Sequence, residues 1–201
     1  MRRWVTILVS ALLLFGSTAA SAAVPPLKTA KQRQQALRKE ASKAKLDITV
    51  TVTAGSLASY AKSGVGLGES TGLKLPATRG EASLALGAGG ALPWKVVYAL
   101  LTAKEPITAL QEHVGKIDTS RTKIETLDGH FVYVWGDSPQ VALSRDLARI
   151  RRITAKSGEH TWEFRLSGEL GVAGLPERIH VLRSGEPYAN VELGLLQSAS
   201  P

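Results

Sequence analysis

Cysteine is absent from this chain of 201 residues, and aromatic side chains are few. Without a thiol the protein has no disulfide, no cysteine for lipid attachment and no cysteine nucleophile. Three Phe, four Trp and four Tyr limit how apolar a large internal cavity could be. The apolar run from Val5 to Phe15 is also shorter than the roughly 20 residues that a membrane-spanning helix needs.

The patterns that mark common catalytic and metal sites are missing as well. The four histidines lie in four different segments, and none belongs to an H-x-x-x-H pattern. No G-x-S-x-G nucleophile motif occurs, and the glycine-rich stretches match neither G-x-G-x-x-G nor a P-loop. We therefore expect no catalytic residue, no metal site and no cofactor. An exported hydrolase, with a site assembled only by the fold, is the third-ranked alternative.

The N-terminus has the three parts of a secretory signal. Arg2 and Arg3 precede the apolar run, and the small residues that follow end in the A-x-A pattern Ala20-Ser21-Ala22. We predict that residues 1–23 are a cleaved signal peptide, with the cut after Ala22 or after Ala23. The alternative is an uncleaved N-terminal anchor. Cleavage would leave about 178 residues, enough for one domain with a sizeable core.

The formal charge of +8 is concentrated in one segment after the signal. Residues 24–45 hold seven basic side chains and one acid, and the chain from Leu46 onward is neutral. A domain without net positive charge offers little electrostatic attraction to a polyanion, so we expect no nucleic-acid partner. Spacing of small and apolar residues predicts a basic helix over 24–45 that docks lightly. The helix either presents a solvated charged face or makes transient contact with an anionic membrane surface.

Residues 46–201 are expected to form a single domain. "LDITVTVT", residues 46–53, alternates like a strand, and residues 54–92 are rich in Gly, Ala and Ser. That region is predicted to be flexible, or to hold short strands with small side chains, for which "EASLAL" is the best match. Pro93 and Pro106 each open a helix, and Gly115 ends the second of them.

After Ile117 the sequence becomes a series of alternating segments separated by turn residues. Short connections such as Asp128-Gly129 and Ser157-Gly158 indicate antiparallel neighbours in a meander. The predicted fold class is α+β: a strongly curved antiparallel sheet, an incomplete barrel, with helices packed on its concave side. The predicted strands are "TKIETL", "HFVYVWG", "QVALSRD", "ARIRRITA", "HTWEFRLSG", "RIHVLRSG" and "YANVELGLL".

Aromatic residues fall on one face of two of these strands and on one helix. The "HTWEFRLSG" strand alternates large apolar side chains with Glu163 and Arg165, and the "HFVYVWG" strand has a second aromatic row. The helix stripe that begins at Trp94 more often packs into a core than lines a ligand site. If the concave face is hollow, we expect its lining to be Trp162, Phe164, Leu166, Trp94, Tyr98, Phe131, Tyr133 and Trp135.

The segment "GKIDTSRTKIETLDGHFVYVWGDSPQVALSRD" and the strands that follow resemble a known family. A strand ending in glycine, "YVWG", precedes a strand with an acidic residue, "QVALSRD"; then come "WEFR" and "GLPERIHVLRSGEP". This order is similar to that of bacterial outer-membrane lipoprotein-sorting proteins, the LolA/LolB-like periplasmic lipoprotein carriers. The resemblance covers residues 114–193. The family's "PQLW" aromatic and a proline after the acidic hairpin are missing, and no residue is matched to the family's barrel arginine.

The resemblance implies a periplasmic location and an incomplete barrel closed by helices over a lipid-accepting cavity. The implied function is a cell-envelope carrier that transports lipid, holding acyl chains or lipoproteins in the concave face. The alternative is a non-enzymatic envelope protein of the same fold with a filled core that acts through protein–protein contacts, because related folds serve different functions.

Overall fold

The computed structural model of the protein describes residues 23–44, 47–54, 69–74, 92–170 and 175–195. Three helices and nine strands occur within these ranges. The predicted signal peptide and the "EASLAL" segment lie outside them. Of the region 54–92, the described residues after Ala54 include Glu69–Lys74, which form a strand at a place where the sequence pattern does not predict one.

Prolines and one glycine set the limits of the helices. α1 is Leu27–Ala44, directly after two prolines, and α2 is Leu92–Thr102 with Pro93 in its first turn. α3 is Pro106–Val114, and the Gly115 N–H donates to the Gln111 carbonyl, 3.0 Å away. The φ of Gly115 is +93°, so the helix ends on the residue type that adopts this conformation without cost.

The strands form one open antiparallel sheet. Its order is β2-β1-β9-β8-β7-β6-β5-β4-β3, so β3 to β9 are a meander and the β1–β2 pair is added beside β9. The fold is therefore α+β with an antiparallel sheet that does not close within the described ranges. The strands are β1 Asp47–Ala54, β2 Glu69–Lys74, β3 Thr122–Leu127, β4 His130–Trp135, β5 Gln140–Ser144, β6 Ile150–Ser157, β7 His160–Ser167, β8 Arg178–Arg183 and β9 Glu186–Leu195.

The main hydrophobic core lies between one face of the sheet and the helices. Alternate side chains of β4 to β9 share this core with side chains of all three helices. α2 is buried on nearly all sides, and Lys95 is its exposed position, because α2 packs against α3 as well as the sheet. The opposite face of the sheet is largely polar, with a small apolar cluster formed by Val132, Val134 and Ala142.

α1 packs more firmly than its sequence suggests. Leu27, Ala30 and Gln34 are buried at three- and four-residue spacing, and Arg38 continues the same stripe with 9% of its surface exposed. The expected light docking is therefore wrong for α1. The small residues that suggested it have the opposite effect, because Ala30 lets the helix backbone approach the core closely.

Candidate functional site

The core between α2 and the sheet is centred on three aromatic rings. Tyr188 lies between two indoles: its ring centroid is 4.9 Å from that of Trp162, edge to face, and 6.4 Å from that of Trp94. Pairs of this geometry add attraction beyond the burial of their surface. This aromatic cluster, Trp94, Tyr188 and Trp162, joins α2 to the helix-covered face of β7 and β9.

A β-bulge directs Tyr188 into this cluster. Val181 pairs with Ala189, whereas the next residue of β8, Leu182, pairs with Pro187, so Tyr188 is the extra residue of β9. Strict alternation from Ala189 would place Tyr188 on the opposite face, so the sequence pattern does not reveal it. Pro187, which cannot donate a ladder hydrogen bond, is the one local sign of an irregularity.

Tyr188 also contacts a cation at the edge of the cluster. The Arg183 guanidinium carbon is 5.7 Å from the ring centroid of Tyr188, within the range of a cation–π interaction. Burial raises the pKa of Tyr188, and the charge of Arg183 opposes this shift. The phenol therefore stays protonated at neutral pH.

The predicted lining residues come together, with one exception. Trp94, Tyr133, Trp135, Trp162, Phe164 and Leu166 are all buried in the main core, and half-buried Tyr98 packs against it. Phe131 is the exception, because 61% of its surface is exposed. It shares a face with Tyr133 and Trp135, but the helices do not cover the sheet that far. The prediction that Phe131 lines the same enclosed surface is therefore wrong.

Three hydrogen bonds to backbone carbonyls fasten the N-terminal segment over this core. The Gln34 side-chain amide donates to the Leu147 carbonyl at 2.7 Å, and the Trp135 indole N–H donates to the Pro25 carbonyl at 3.0 Å. The Arg38 guanidinium donates to the Leu100 carbonyl at 2.5 Å. Each of these three contacts joins α1 or the residues before it to a different element. Two further side-chain hydrogen bonds, from Lys31 to Gln111 at 2.5 Å and from Gln35 to Glu105 at 2.8 Å, join α1 to α3 and to the residue before it.

Arg38 is a buried cation at the C-terminal end of α2. The last carbonyls of a helix lack partners within it and carry partial negative charge, so a guanidinium there is favourable. Burial lowers the pKa of Arg38 to about 10, which leaves the side chain charged at neutral pH. In the sequence Arg38 lies four residues after Gln34, on the stripe that docks, but an arginine among several cations of α1 gives no sign that its charge is buried.

Two buried donors of the helix layer have no hydrogen-bond partner within the described residues. They are the indole N–H of Trp94 and the Nε–H of Arg38. A buried donor without a partner costs free energy, and such groups are uncommon in native proteins. Both residues belong to α1 or α2, the helices that cover the apolar face of the sheet.

A short turn between β5 and β6 positions the acceptor used by α1. Asp146 accepts hydrogen bonds from the Ser144 hydroxyl and the Ala148 amide, and Leu147 has a φ of +60°. Burial raises the pKa of Asp146, but these hydrogen bonds together with the charge of Arg149 outweigh burial and lower it overall. The ordered turn presents the Leu147 carbonyl to Gln34 on α1.

The opposite face of the sheet carries ion pairs. Glu125 on β3 contacts Lys123 at 2.7 Å and Arg152 at 2.5 Å, and the Lys123 hydrogen bond is the main reason why the pKa of Glu125 is lowered. Arg178 pairs with Glu192 farther along the sheet. Within the described ranges, no group of three or more His, Cys, Asp or Glu side chains could hold a metal ion.

No family model matches this chain, and no curated protein or solved structure matches it either. The resemblance to lipoprotein-sorting proteins therefore stays an expectation. Among the described helices, none is both long and apolar enough to cross a membrane.

Proposed function

We propose that this protein is a periplasmic lipid- or lipoprotein-binding carrier that accommodates an acyl chain between the sheet and its helices. In this proposal the helix-covered face is the concave side of an incomplete barrel. The observation that carries the proposal is the arrangement of the core: one apolar face of an open sheet is covered by α1, α2 and α3, with the aromatic cluster at their junction.

Binding would require the helices to move away from the sheet, since Phe164 and Trp135 have no exposed surface. Five side-chain hydrogen bonds hold α1 and the residues before it, and each typically contributes about 1 kcal/mol net. An acyl chain would then cover the apolar face of the sheet in place of the helix side chains. The unpartnered indole N–H of Trp94 would be available to a carboxyl or ester oxygen.

The charge of α1 supports binding of the protein to a membrane surface, from which it would take up the acyl chain. Lys28, Arg33 and Lys39 are exposed on α1, whereas Arg38 is buried. Exposed cations next to the covered face would bring the protein to an anionic leaflet, where each adds about 1 kcal/mol of attraction. The partners that follow are acyl chains, lipoproteins and the envelope surface.

The decisive experiment is uptake of a fluorescent acyl probe by protein that has been stripped of lipid. We expect saturable uptake at micromolar probe concentration. Phe164→Leu should change probe affinity while costing less than about 1.5 kcal/mol in unfolding free energy. Val132→Ala, on the opposite face of the sheet, is the control: it should lower stability and leave probe affinity unchanged.

The complete burial of Phe164 and Trp135 favours a second candidate. In this candidate the same core is permanently filled, and the protein acts in the envelope through contacts with other proteins. Stripped protein would then take up no acyl probe at micromolar concentration, and no lipid would co-purify with protein recovered from a periplasmic fraction. Those two results together would reject the carrier.

A further inference from the structure

The strand β3 ends the sheet, and no neighbouring strand covers its outer edge within the described part of the chain. β3 and β4 are joined by Asp128-Gly129, both with positive φ, so Leu127 and His130 form the hydrogen-bonded pair beside the turn. The backbone N–H and C=O groups of every second residue of β3, counted back from Leu127, therefore form hydrogen bonds with β4. The intervening residues direct their N–H and C=O groups away from the sheet: Thr122, Ile124 and Thr126.

Two apolar side chains lie on one face of this edge. Ile124 is 42% exposed and Phe131 is 61% exposed, and they are the large exposed hydrophobic residues of the described chain. In the register, Ile124 pairs with Tyr133 and Phe131 pairs with Thr126, so the two side chains are close neighbours on adjacent strands. A free edge with exposed apolar side chains is a surface that natural proteins usually cover.

The sequence of β3 is symmetric about Ile124, with its charges exchanged. Lys123 and Glu125 flank Ile124, and a threonine lies beyond each of them. If two copies of β3 pair antiparallel about a two-fold axis at Ile124, each Lys123 lies opposite Glu125 of the partner subunit. This register joins the outward N–H and C=O groups of both strands, and opposite charges across strands are stabilising.

The neighbouring two-fold registers are less favourable. An axis at Thr122 brings Arg121 opposite Lys123 of the partner subunit, so two cations meet. An axis at Lys123 or Glu125 places like charges opposite each other and does not align the outward backbone groups. An axis at Thr126 also aligns the outward backbone groups, but it places Glu125 opposite Leu127 and overlaps the two strands over residues 125–127 alone. Ile124 is therefore the position on which charge, backbone pairing and strand overlap agree.

We propose that β3 is a self-association edge through which two copies of the protein pair antiparallel about Ile124, forming one continuous sheet. Strands of six residues make a small contact, below the roughly 1,200 Å² of a stable interface, so the dimer is reversible and depends on concentration. On the face that carries Ile124 and Phe131, each Ile124 side chain then lies beside Ile124 of the partner subunit. This association goes beyond acyl binding and does not depend on it.

Sedimentation velocity of the purified mature protein, from low to high micromolar concentration, tests the proposal. Lys123→Glu and Glu125→Lys each place like charges opposite one another, and each should weaken dimerisation on the order of tenfold. Mixing the two variants restores both opposite-charge pairs, so the mixture should dimerise as the unsubstituted protein does. Lys156→Glu, the same charge change at an exposed position of β6, is the matched control and should leave the dimer unchanged.

Circular dichroism melting of each variant establishes that it is folded, which matters most for Glu125→Lys because it removes the contact with Arg152. A second probe acts on the backbone. Thr122→Pro removes an outward N–H at the first residue of β3, where proline is tolerated, and should also weaken the dimer. A protein that stays monomeric at every concentration overturns the proposal. A dimer that the folded variants leave unchanged, or that mixing fails to restore, overturns it as well.

Discussion

Among the described glycines with positive φ, Gly136 has the least room for a side chain. Its φ is +77°, and a β-carbon placed there would overlap the Pro139 carbonyl oxygen. Gly129 has nearly the same φ, +78°, with nothing within 4 Å of that position. The two glycines therefore separate the cost of the backbone conformation from the cost of a steric clash.

Gly136→Ala should lower the free energy of unfolding far more than Gly129→Ala. The conformation alone costs about 1–2 kcal/mol for a residue with a β-carbon, and this is the whole expected effect at Gly129. At Gly136 the clash with backbone adds several kcal/mol on the scale of overpacking. Chemical denaturation measures both, and equal losses would show that the Pro139 carbonyl moves away freely.

The turn at Asp146 makes stability depend on pH. The folded pKa of Asp146 lies below the value of about 3.9 for an unfolded aspartate, so its contribution is complete above that value. It is lost as the pH falls through the folded pKa. Asp146→Asn should cost about 1 kcal/mol at neutral pH, a modest value because the side chain is exposed.

Denaturation curves at several pH values check this prediction. The difference in unfolding free energy between the protein and Asp146→Asn should narrow as the pH falls below about 4. A difference that stays constant from neutral to acid pH would contradict it. Asp137→Asn, at an exposed site where the Arg121 contact is 4.0 Å long, is the control and should change stability at neutral pH very little.

At the scale of elements, two alanines of α1 test how tightly this helix packs on the core. Ala30 has no exposed surface, whereas Ala36 on the same helix is exposed. Ala30→Leu should overpack the contact with the core and lower the unfolding free energy by about 1–3 kcal/mol. Ala36→Leu adds the same atoms in water and should change stability by less than about 0.5 kcal/mol. Similar effects at both sites would mean that α1 docks lightly.

The strands of the meander are largely predictable, because apolar and polar residues alternate along each strand and so indicate which of its faces is buried. β3 coincides with the predicted "TKIETL", and β4 to β9 agree within a few residues. Tyr188 is not predictable, because a bulge shifts the alternation by one residue and only pairing with β8 reveals it. Arg38 is also hidden, since its burial depends on α2, an element far away in the sequence.

At the scale of the whole molecule, the sequence indicates which face of a strand is apolar but not how far other elements cover it. Phe131 shows the limit: its alternation matches Tyr133 and Trp135, yet it lies beyond the helices and is exposed. Coverage depends on the lengths and positions of α1, α2 and α3 together, which no local pattern contains. The residues that the helices bury, such as Tyr133 and Trp135, are therefore predictable from the sequence, whereas the point at which helix coverage ends, before Phe131, is not.

Export gives a prediction that concerns the chain as a whole. The A-x-A pattern Ala20-Ser21-Ala22 places the first mature residue at Ala23 or Val24. The Trp135 bond to the Pro25 carbonyl is kept by either cut. N-terminal sequencing of protein from the periplasmic fraction should give one of these two starts. Recovery of Met1 in most of that material would contradict the signal-peptide assignment.

The pairing of β1 with β9 fixes the order in which parts of the sheet can form during synthesis and export. Asp47–Ala54 finds its second neighbour only when Glu186–Leu195 has been synthesised and, in an exported chain, has crossed the membrane. Likewise, the hydrogen bond from Gln34 to the Leu147 carbonyl can form only after Leu147 has been synthesised. Contacts this distant in sequence form slowly, and an unpaired β-branched strand is prone to aggregate in the interval. A chain that ends before β9 should therefore be degraded or aggregate, and the intact chain should need a chaperone until its last strand has joined the sheet.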